Sequence, residues 1–268
     1  MPLQPVSPGA RLQLEDSDAK PSDDLPGGDA LRESINPLLV RMENLQRALY
    51  AENQRSLLVV IQGRDTSGKD GLIRKVFGPL DSQGCHVTSF KRPSELELSH
   101  DYLWRIHRAA PCKAVIGIFN RSHYEDVLVV RVRKLVTEAV WSRRYGHIND
   151  FERMLSDAGT TIIKLFLHIS RKEQKERLRE RLEDPTKNWK FDPGDLGERA
   201  LWDDYTEAYR DAIARCSTEW APWYVVPADK KAARDYLVAE LVVKALEKMN
   251  PQYPQADPSL LKLVKEIV

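Results

Sequence analysis

The segment Gly63-Arg64-Asp65-Thr66-Ser67-Gly68-Lys69-Asp70-Gly71 has the Gly-x4-Gly-Lys spacing of a loop that wraps a phosphate. In such a loop the backbone N–H groups between Gly63 and Gly68, and the start of the following helix, converge on one anion, while Lys69 adds a point charge. Where loops of this kind carry Ser or Thr to hold magnesium, this one carries Asp70, and Asp65 adds a second carboxylate. Carboxylates beside phosphate oxygens are repulsive unless a divalent cation lies between them. Mg2+ suits that place because it takes oxygen ligands and keeps bridging waters. Asp65 and Asp70 therefore read as metal-positioning groups. The alternative has Asp65 hydrogen-bonding the loop and Asp70 facing solvent.

A second polar cluster follows the apolar run Val115 to Phe119: Asn120-Arg121-Ser122-His123-Tyr124-Glu125-Asp126. Ligands of open parallel sheets gather at the carboxyl ends of strands. Phosphoryl transfer asks little covalent work of a protein, only positioning and cations for the charge on the transferred group. Arg121 is the candidate for that charge, and Glu125 could complete metal binding with the two aspartates. A competing reading pairs Arg121 with Glu125 or Asp126 as a structural ion pair at a helix start, where acids are favoured.

In residues 171–190, Arg177 and Arg181 stand four apart and share one helical face. A charged helix with interspersed glutamates is ordinarily a solvated surface. Here Asp184-Pro185 breaks it, and Lys187, Trp189 and Lys190 follow in a segment rich in turn signals. A mobile cover over a phosphate site, roughly 171–200, has this composition. Arg74 and Lys75 after the loop, and Lys91 and Arg92 after the second strand, point to a crevice more cationic than one nucleotide requires.

The elements that must position these residues alternate. Apolar, β-branched runs at 57–61, 86–90, 114–119, 162–169 and 223–226 read as five buried strands. Helical patterns lie between them, including one opened by a Ser94/Glu97 capping box and leading into 101–108. The alternation predicts an α/β protein with a parallel five-stranded sheet and helices on both faces. Leu38, Leu39, Met42, Leu45 and Leu49 place an amphipathic helix over 35–52. Residues 1–34, rich in Pro, Gly, Asp and Ser, read as an extended arm, either a tail or a clasp for a neighbouring subunit, and 35–268 as one domain.

The bulk numbers narrow the partners. Lys plus Arg total 41 against 40 for Asp plus Glu, so neither nucleic acid nor a membrane surface is implied by net charge, and any basic site must be local. The three cysteines, Cys85, Cys112 and Cys216, lack metal-ligand spacing and fit a reducing compartment. No signal-peptide pattern and no 18-residue apolar stretch occurs, so a cytoplasmic protein is expected.

Three motifs together resemble the family-2 polyphosphate kinases: Gly-Arg-Asp-x-x-Gly-Lys-Asp-Gly, Phe-Asn-Arg-Ser-x-Tyr-Glu-Asp-Val, and Glu-Gln-x-x-Arg-Leu-x-x-Arg-Leu-x-Asp-Pro-x-Lys-x-Trp-Lys. The likeness runs from about residue 35 to Tyr253. It implies a three-layer α/β/α P-loop kinase fold of thymidylate-kinase type with a helical lid. The implied activity is Mg2+-dependent transfer of a terminal phosphoryl group between inorganic polyphosphate and a nucleotide, with Mn2+ as a substitute cation. It further implies that Asp65, Asp70 and Glu125 hold the metal and that Arg121 stabilises the transferred group. Gly63, Gly68, Lys69, Arg74, Lys91, Arg177 and Arg181 would follow the phosphate chain, and Asn120, Lys187, Trp189 and Lys190 would serve the nucleotide and lid. No covalent intermediate is implied, so no histidine is nominated as a nucleophile. Tyr124-Glu125-Asp126-Val127 resembles the subgroup that accepts both AMP and ADP, with guanine nucleotides as further candidates. Family members assemble as dimers or tetramers. The nearest rival is an ATP-dependent nucleoside monophosphate kinase, against which Asp70 argues.

Overall fold

Five strands, β1 (Ser56–Gly63), β2 (Cys85–Ser89), β3 (Ile116–Asn120), β4 (Thr160–His168) and β5 (Trp223–Pro227), pair in parallel in the order β2-β3-β1-β4-β5. This computed structural model describes residues 2–259 together with Leu263 and Ile267. The helices are α1 (Gly28–Glu52), α2 (Lys69–Leu72, continued by a π turn over Ile73–Phe77), α3 (Glu95–Leu98), α4 (Trp104–Ala109) and α5 (Val129–Val132). They continue with α6 (Glu138–Asp157), α7 (Arg171–Glu183), α8 (Gly194–Ala200), α9 (Trp202–Cys216) and α10 (Lys231–Met249).

Each residue of β1 is buried, because the central strand of a parallel sheet is covered on both faces. Side chains alternate along it, so Leu57, Val59 and Ile61 enter one apolar cluster with α1, α2 and α10, while Leu58 and Val60 enter a second with α6 and α9. Full burial of one such side chain stabilises by about 1.5–3 kcal/mol. The middle strand thus ties two cores together, and the loop at its carboxyl end starts from the most constrained point of the molecule.

Two boundaries differ from the sequence reading. Helix α1 begins at Gly28, seven residues before Ile35, and runs through Pro37. A proline inside a helix forfeits one backbone bond, and the burial of Leu31 and Ile35 carries the added turns. The Ser94/Glu97 capping box forms, with Ser94 N–H donating to Glu97 Oε2 at 2.7 Å, but opens only the four residues of α3. Asp101 Oδ1 accepts from Leu103 N–H at 2.9 Å, a side-chain bond that breaks the run and restarts it as α4.

The arm before α1 lies along its own chain. Val6 N–H donates to Trp223 O at 2.8 Å, Gly9 N–H to Ala214 O at 3.1 Å and Asp229 N–H to Ala19 O at 3.0 Å, and Leu14 and Ala19 are buried.

Candidate active site

The loop from Gly63 to Gly68 leaves β1 and enters α2, so the first-turn N–H groups of α2, which have no helical partner, are offered to whatever lies over it. Its carbonyl oxygens account for themselves in full. Lys69 Nζ donates to Gly63 O at 2.7 Å and Arg64 O at 3.2 Å, and Gln174 Nε2 to Asp65 O at 3.2 Å. Arg177 Nη1 donates to Thr66 O at 3.0 Å and Ser67 O at 3.3 Å, Arg234 Nη1 to Ser67 O at 3.2 Å, and Leu72 N–H to Gly68 O at 3.0 Å. Buried backbone oxygens must find donors, and here four of the six find cations. Gly68 has φ +94°, and an added Cβ would stand 2.0 Å from Arg234 Nη1, so only glycine serves there. Burial, then the charge of Arg121, pushes the Lys69 ammonium down to about 8.

Beside the loop, β3 ends at Asn120, and Arg121 N–H continues the ladder by donating to Ile61 O at 3.0 Å. Arg121 then adopts φ +62°, a left-handed conformation that costs an L-residue roughly 1–2 kcal/mol. The turn sends its guanidinium to Asp65 Oδ1 at 2.7 Å and to Glu125 Oε2 at 3.5 Å. Glu125 first, against burial and with Asp65, raises the Arg121 pKa further, so the charge is permanent. Asn120 Nδ2 donates to Asp70 Oδ1 at 2.8 Å.

Below this turn lies a polar network with no solvent exposure. Lys164 Nζ donates to Glu152 Oε2 at 2.5 Å, to Cys216 O at 2.5 Å and to Tyr124 OH at 2.8 Å, and Tyr124 OH donates to Glu152 Oε1 at 2.9 Å. Burial opposes the Glu152 charge, but Lys164 and then His123 outweigh it and hold the carboxyl below its ordinary range. Ser122 Oγ accepts from Gln62 Nε2 and from Tyr124 N–H, fastening the turn to β1.

Two cavities meet here. The larger, about 930 Å³, lies over the loop and is lined by Asp65, Gly68, Lys69, Asp70, Arg74, Lys91, Asn120, Arg121, Arg177, Arg181, Lys187 and Trp189, with Lys231 from α10. The smaller, about 130 Å³, is lined by Gly63, Arg64, Asp65, Arg121, Glu125, Leu128, Val129, Gln174, Glu198, Trp202, Tyr205 and Tyr209. Asp65 and Arg121 belong to both. The buried Arg64 lies 4.0 Å over the Trp202 ring and donates to Thr206 Oγ1 at 2.5 Å, and burial pushes its pKa down to about 10.

The family model for polyphosphate kinase 2 matches residues 28–254. The chain belongs to the polyphosphate kinase 2 family. It is 52% identical over 262 residues to the AMP/ADP-polyphosphate phosphotransferase of Meiothermus ruber, covering 97% of this chain and 98% of that protein. It is 43% identical to the ADP-polyphosphate phosphotransferase of Rhodopseudomonas palustris, covering 86% of this chain and 84% of that protein. The crystal structure of polyphosphate kinase 2 from Arthrobacter aurescens TC1 superposes with a TM-score of 0.89 at 42% identity, over 92% of this chain and 90% of that one. The fold is thus the α/β fold of this kinase family, with its five-stranded parallel sheet.

A kinase family implies a divalent metal, and the donor set can be tested against one. Asp65 and Asp70 are hard oxygen donors on the same cavity beside the loop, the kind of pair that Mg2+ accepts along with phosphate oxygens. They fit. Among the described residues no three carboxylate, histidine or cysteine side chains converge as a cage. Glu125 lines the smaller cavity, which shares Asp65 and Arg121 with the larger one. The Arg121–Glu125 ion pair of the competing reading forms at 3.5 Å, while Asp126 turns to Arg144 at 2.7 Å.

Other expectations for polyphosphate kinase 2 residues divide along the lid. Arg177 lines the larger cavity, yet its five N–H groups are all engaged: Nε on Glu173 at 2.9 Å, Nη1 on the loop, and Nη2 on Ala228 O at 2.7 Å and Asp229 O at 3.0 Å. It braces the loop and has no donor left for a phosphate chain, a correction to the sequence reading. Arg181 pairs with Asp195 at 3.1 Å, and Lys187 with Glu180 at 2.6 Å and Asp184 at 2.8 Å. Trp189 is 74% exposed, with Nε1 donating to Thr186 O. The Lys190 side chain lies outside the described residues. Sequence reasoning missed Arg234, Lys231, Gln174 and the aromatic wall. Gln174 stands in the third motif without an assigned role, and the basic start of α10 could have flagged Lys231 and Arg234.

Among the described residues no helix is long and apolar enough to cross a membrane.

Proposed function

We propose that this chain transfers a terminal phosphoryl group, by direct in-line displacement and in either direction, between inorganic polyphosphate and a nucleoside mono- or diphosphate, AMP to ADP and ADP to ATP. One observation carries the reading: Asp65 and Arg121 are shared by a long basic trough and a small aromatic pocket. The trough suits a polyanionic chain. The pocket, walled by Trp202, Tyr205 and Tyr209, offers an apolar lining to a nucleoside. A terminal phosphoryl group held between them would lie against Arg121. The activities for which the relatives are named, on AMP and ADP as well as polyphosphate, point the same way.

In this reading the acceptor's phosphate oxygen attacks the terminal phosphorus, and the chain, shorter by one unit, leaves as the anion. No side chain is acylated or phosphorylated. Lys69 and the first-turn N–H groups of α2 hold the chain end, and Arg121 takes up charge that spreads onto the equatorial oxygens in the transition state. Its fixed turn means that the guanidinium need not reorganise as that charge develops. A divalent cation at Asp65 and Asp70, Mg2+ with Mn2+ as substitute, would supply neutralisation where the two anions meet. We place the enzyme in the cytoplasm as a homodimer or homotetramer.

The test offers Mg2+ and polyphosphate as sole donor to AMP, ADP, GMP and GDP separately. ATP from ADP and ADP from AMP are expected, with shortening of the chain. Ready transfer from ATP to AMP with no use of polyphosphate would replace this reading with that of a nucleoside monophosphate kinase.

A further inference from the structure

The trough over the loop does not end at Lys91. Ser89, Phe90 and Lys91 on its wall also line a second cavity of about 480 Å³, between the end of β2 and helices α3 and α4. Arg92, Arg105 and Arg108 line it as well, and its carboxylate is Glu97. That carboxylate is already engaged: Oε2 accepts Ser94 N–H at 2.7 Å and reaches Arg105 only at 3.8 Å. Arg105 is 9% exposed, lies 5.5 Å from the Phe90 ring and donates to Lys91 O at 2.9 Å. Arg108 lies 4.7 Å over the Trp104 ring, which fixes where its charge points. Four cations facing one occupied acid are a local excess in a chain whose totals are 41 and 40.

We propose that this cavity is a distal subsite for polyphosphate: the chain whose end reacts at Asp65 and Arg121 passes over Ser89 and Lys91, and its later units lie on Arg92, Arg105 and Arg108. The inference rests on polyphosphate being the chain substrate of the trough. Units that lie there are equally far from the reacting phosphorus in the ground and transition states, so their binding lowers KM without raising kcat. The subsite makes affinity depend on chain length. A chain of three units fills the trough near the loop and leaves the arginines unused.

Titration calorimetry with tripolyphosphate and with a chain of several tens of units tests this, on the wild type, Arg92→Gln/Arg108→Gln and Arg92→Lys/Arg108→Lys. Both arginines are exposed, so folding is not at stake. The Gln variant should weaken long-chain binding by about tenfold and tripolyphosphate binding by less than about twofold, and the Lys variant should keep most of the long-chain affinity. The slope of log affinity against log salt for the long chain should fall by about 1.4, roughly 0.7 for each lost contact to a single strand of phosphates. Equal weakening for both lengths, unchanged long-chain binding, or a raised KM for ADP in place of either would overturn the subsite. Absence of any polyphosphate binding by the wild type would instead remove the chain assignment of the trough.

Discussion

Arg177 and Arg181 stand one turn apart on α7, yet they do different work. The first is 7% exposed, wedged between the phosphate loop and the β5–α10 connection, with its whole guanidinium on four carbonyls and one carboxylate. The second pairs with Asp195 across the lid, and farther out Lys187, its side chain 46% exposed, sits between Glu180 and Asp184. The contrast extends to the two halves of the site. Around the loop after β1, Lys69, Arg177 and Arg234 are buried and donate to the loop's own carbonyls, which fixes its geometry. On the lid Lys187 is held by neighbouring acids at the surface, where a pair contributes about 0–1 kcal/mol. Such partners exchange cheaply for substrate phosphates, whereas the base could not exchange its own without losing shape.

Breaking the base should therefore cost most. Arg177→Met removes a buried charge and leaves loop carbonyls unpaired, and a stability loss of about 3 kcal/mol is expected in denaturant unfolding. Lys187→Met should cost less than about 1 kcal/mol in the same assay. Comparable losses would erase the distinction. Next comes Arg121→Ala, expected to lower kcat/KM by about 100-fold, or about 2.7 kcal/mol, with little loss of fold; a wild-type rate would detach Arg121 from the chemistry. A further test sharpens the comparison by pH. Lys69, pushed down to about 8, is charged below that value and neutral above it. The kcat/KM for polyphosphate, which reports the free enzyme, should fall by up to about tenfold per pH unit above 8. Lys69→Arg, which stays charged, should flatten that fall whatever its absolute rate.

The base was legible in the sequence because its signals are local. A strand, a Gly-x4-Gly-Lys turn and a helix start are contiguous from Leu57 to Val76, and Arg121 follows directly on an apolar strand. β1, β3 and β4 were readable for the same reason, since a doubly covered strand is a run of large apolar residues, whereas β2, read as buried, is an edge strand largely open to solvent. What stayed hidden depends on which element packs where. Helical spacing put Arg177 and Arg181 on one face, but only the approach of the loop and of Ala228 decides that Arg177 is sealed. Lys164 interrupts an apolar strand, and nothing in its neighbours reveals that Glu152, on α6, and Tyr124, after β3, meet it in the core. The aromatic wall of the smaller cavity comes from α9, some 80 residues beyond Arg121, and became part of the site only through the sheet order.

The complete pairing of the loop's carbonyls has a consequence for the empty enzyme. A peptide plane between Gly63 and Gly68 cannot turn over without tearing an oxygen from Lys69, Gln174, Arg177, Arg234 or the helix. Amide dipoles are thereby sorted before any anion arrives, so the cradle behaves as a one-way electrical surface whose polarity is inherited from the scaffold rather than induced by its guest.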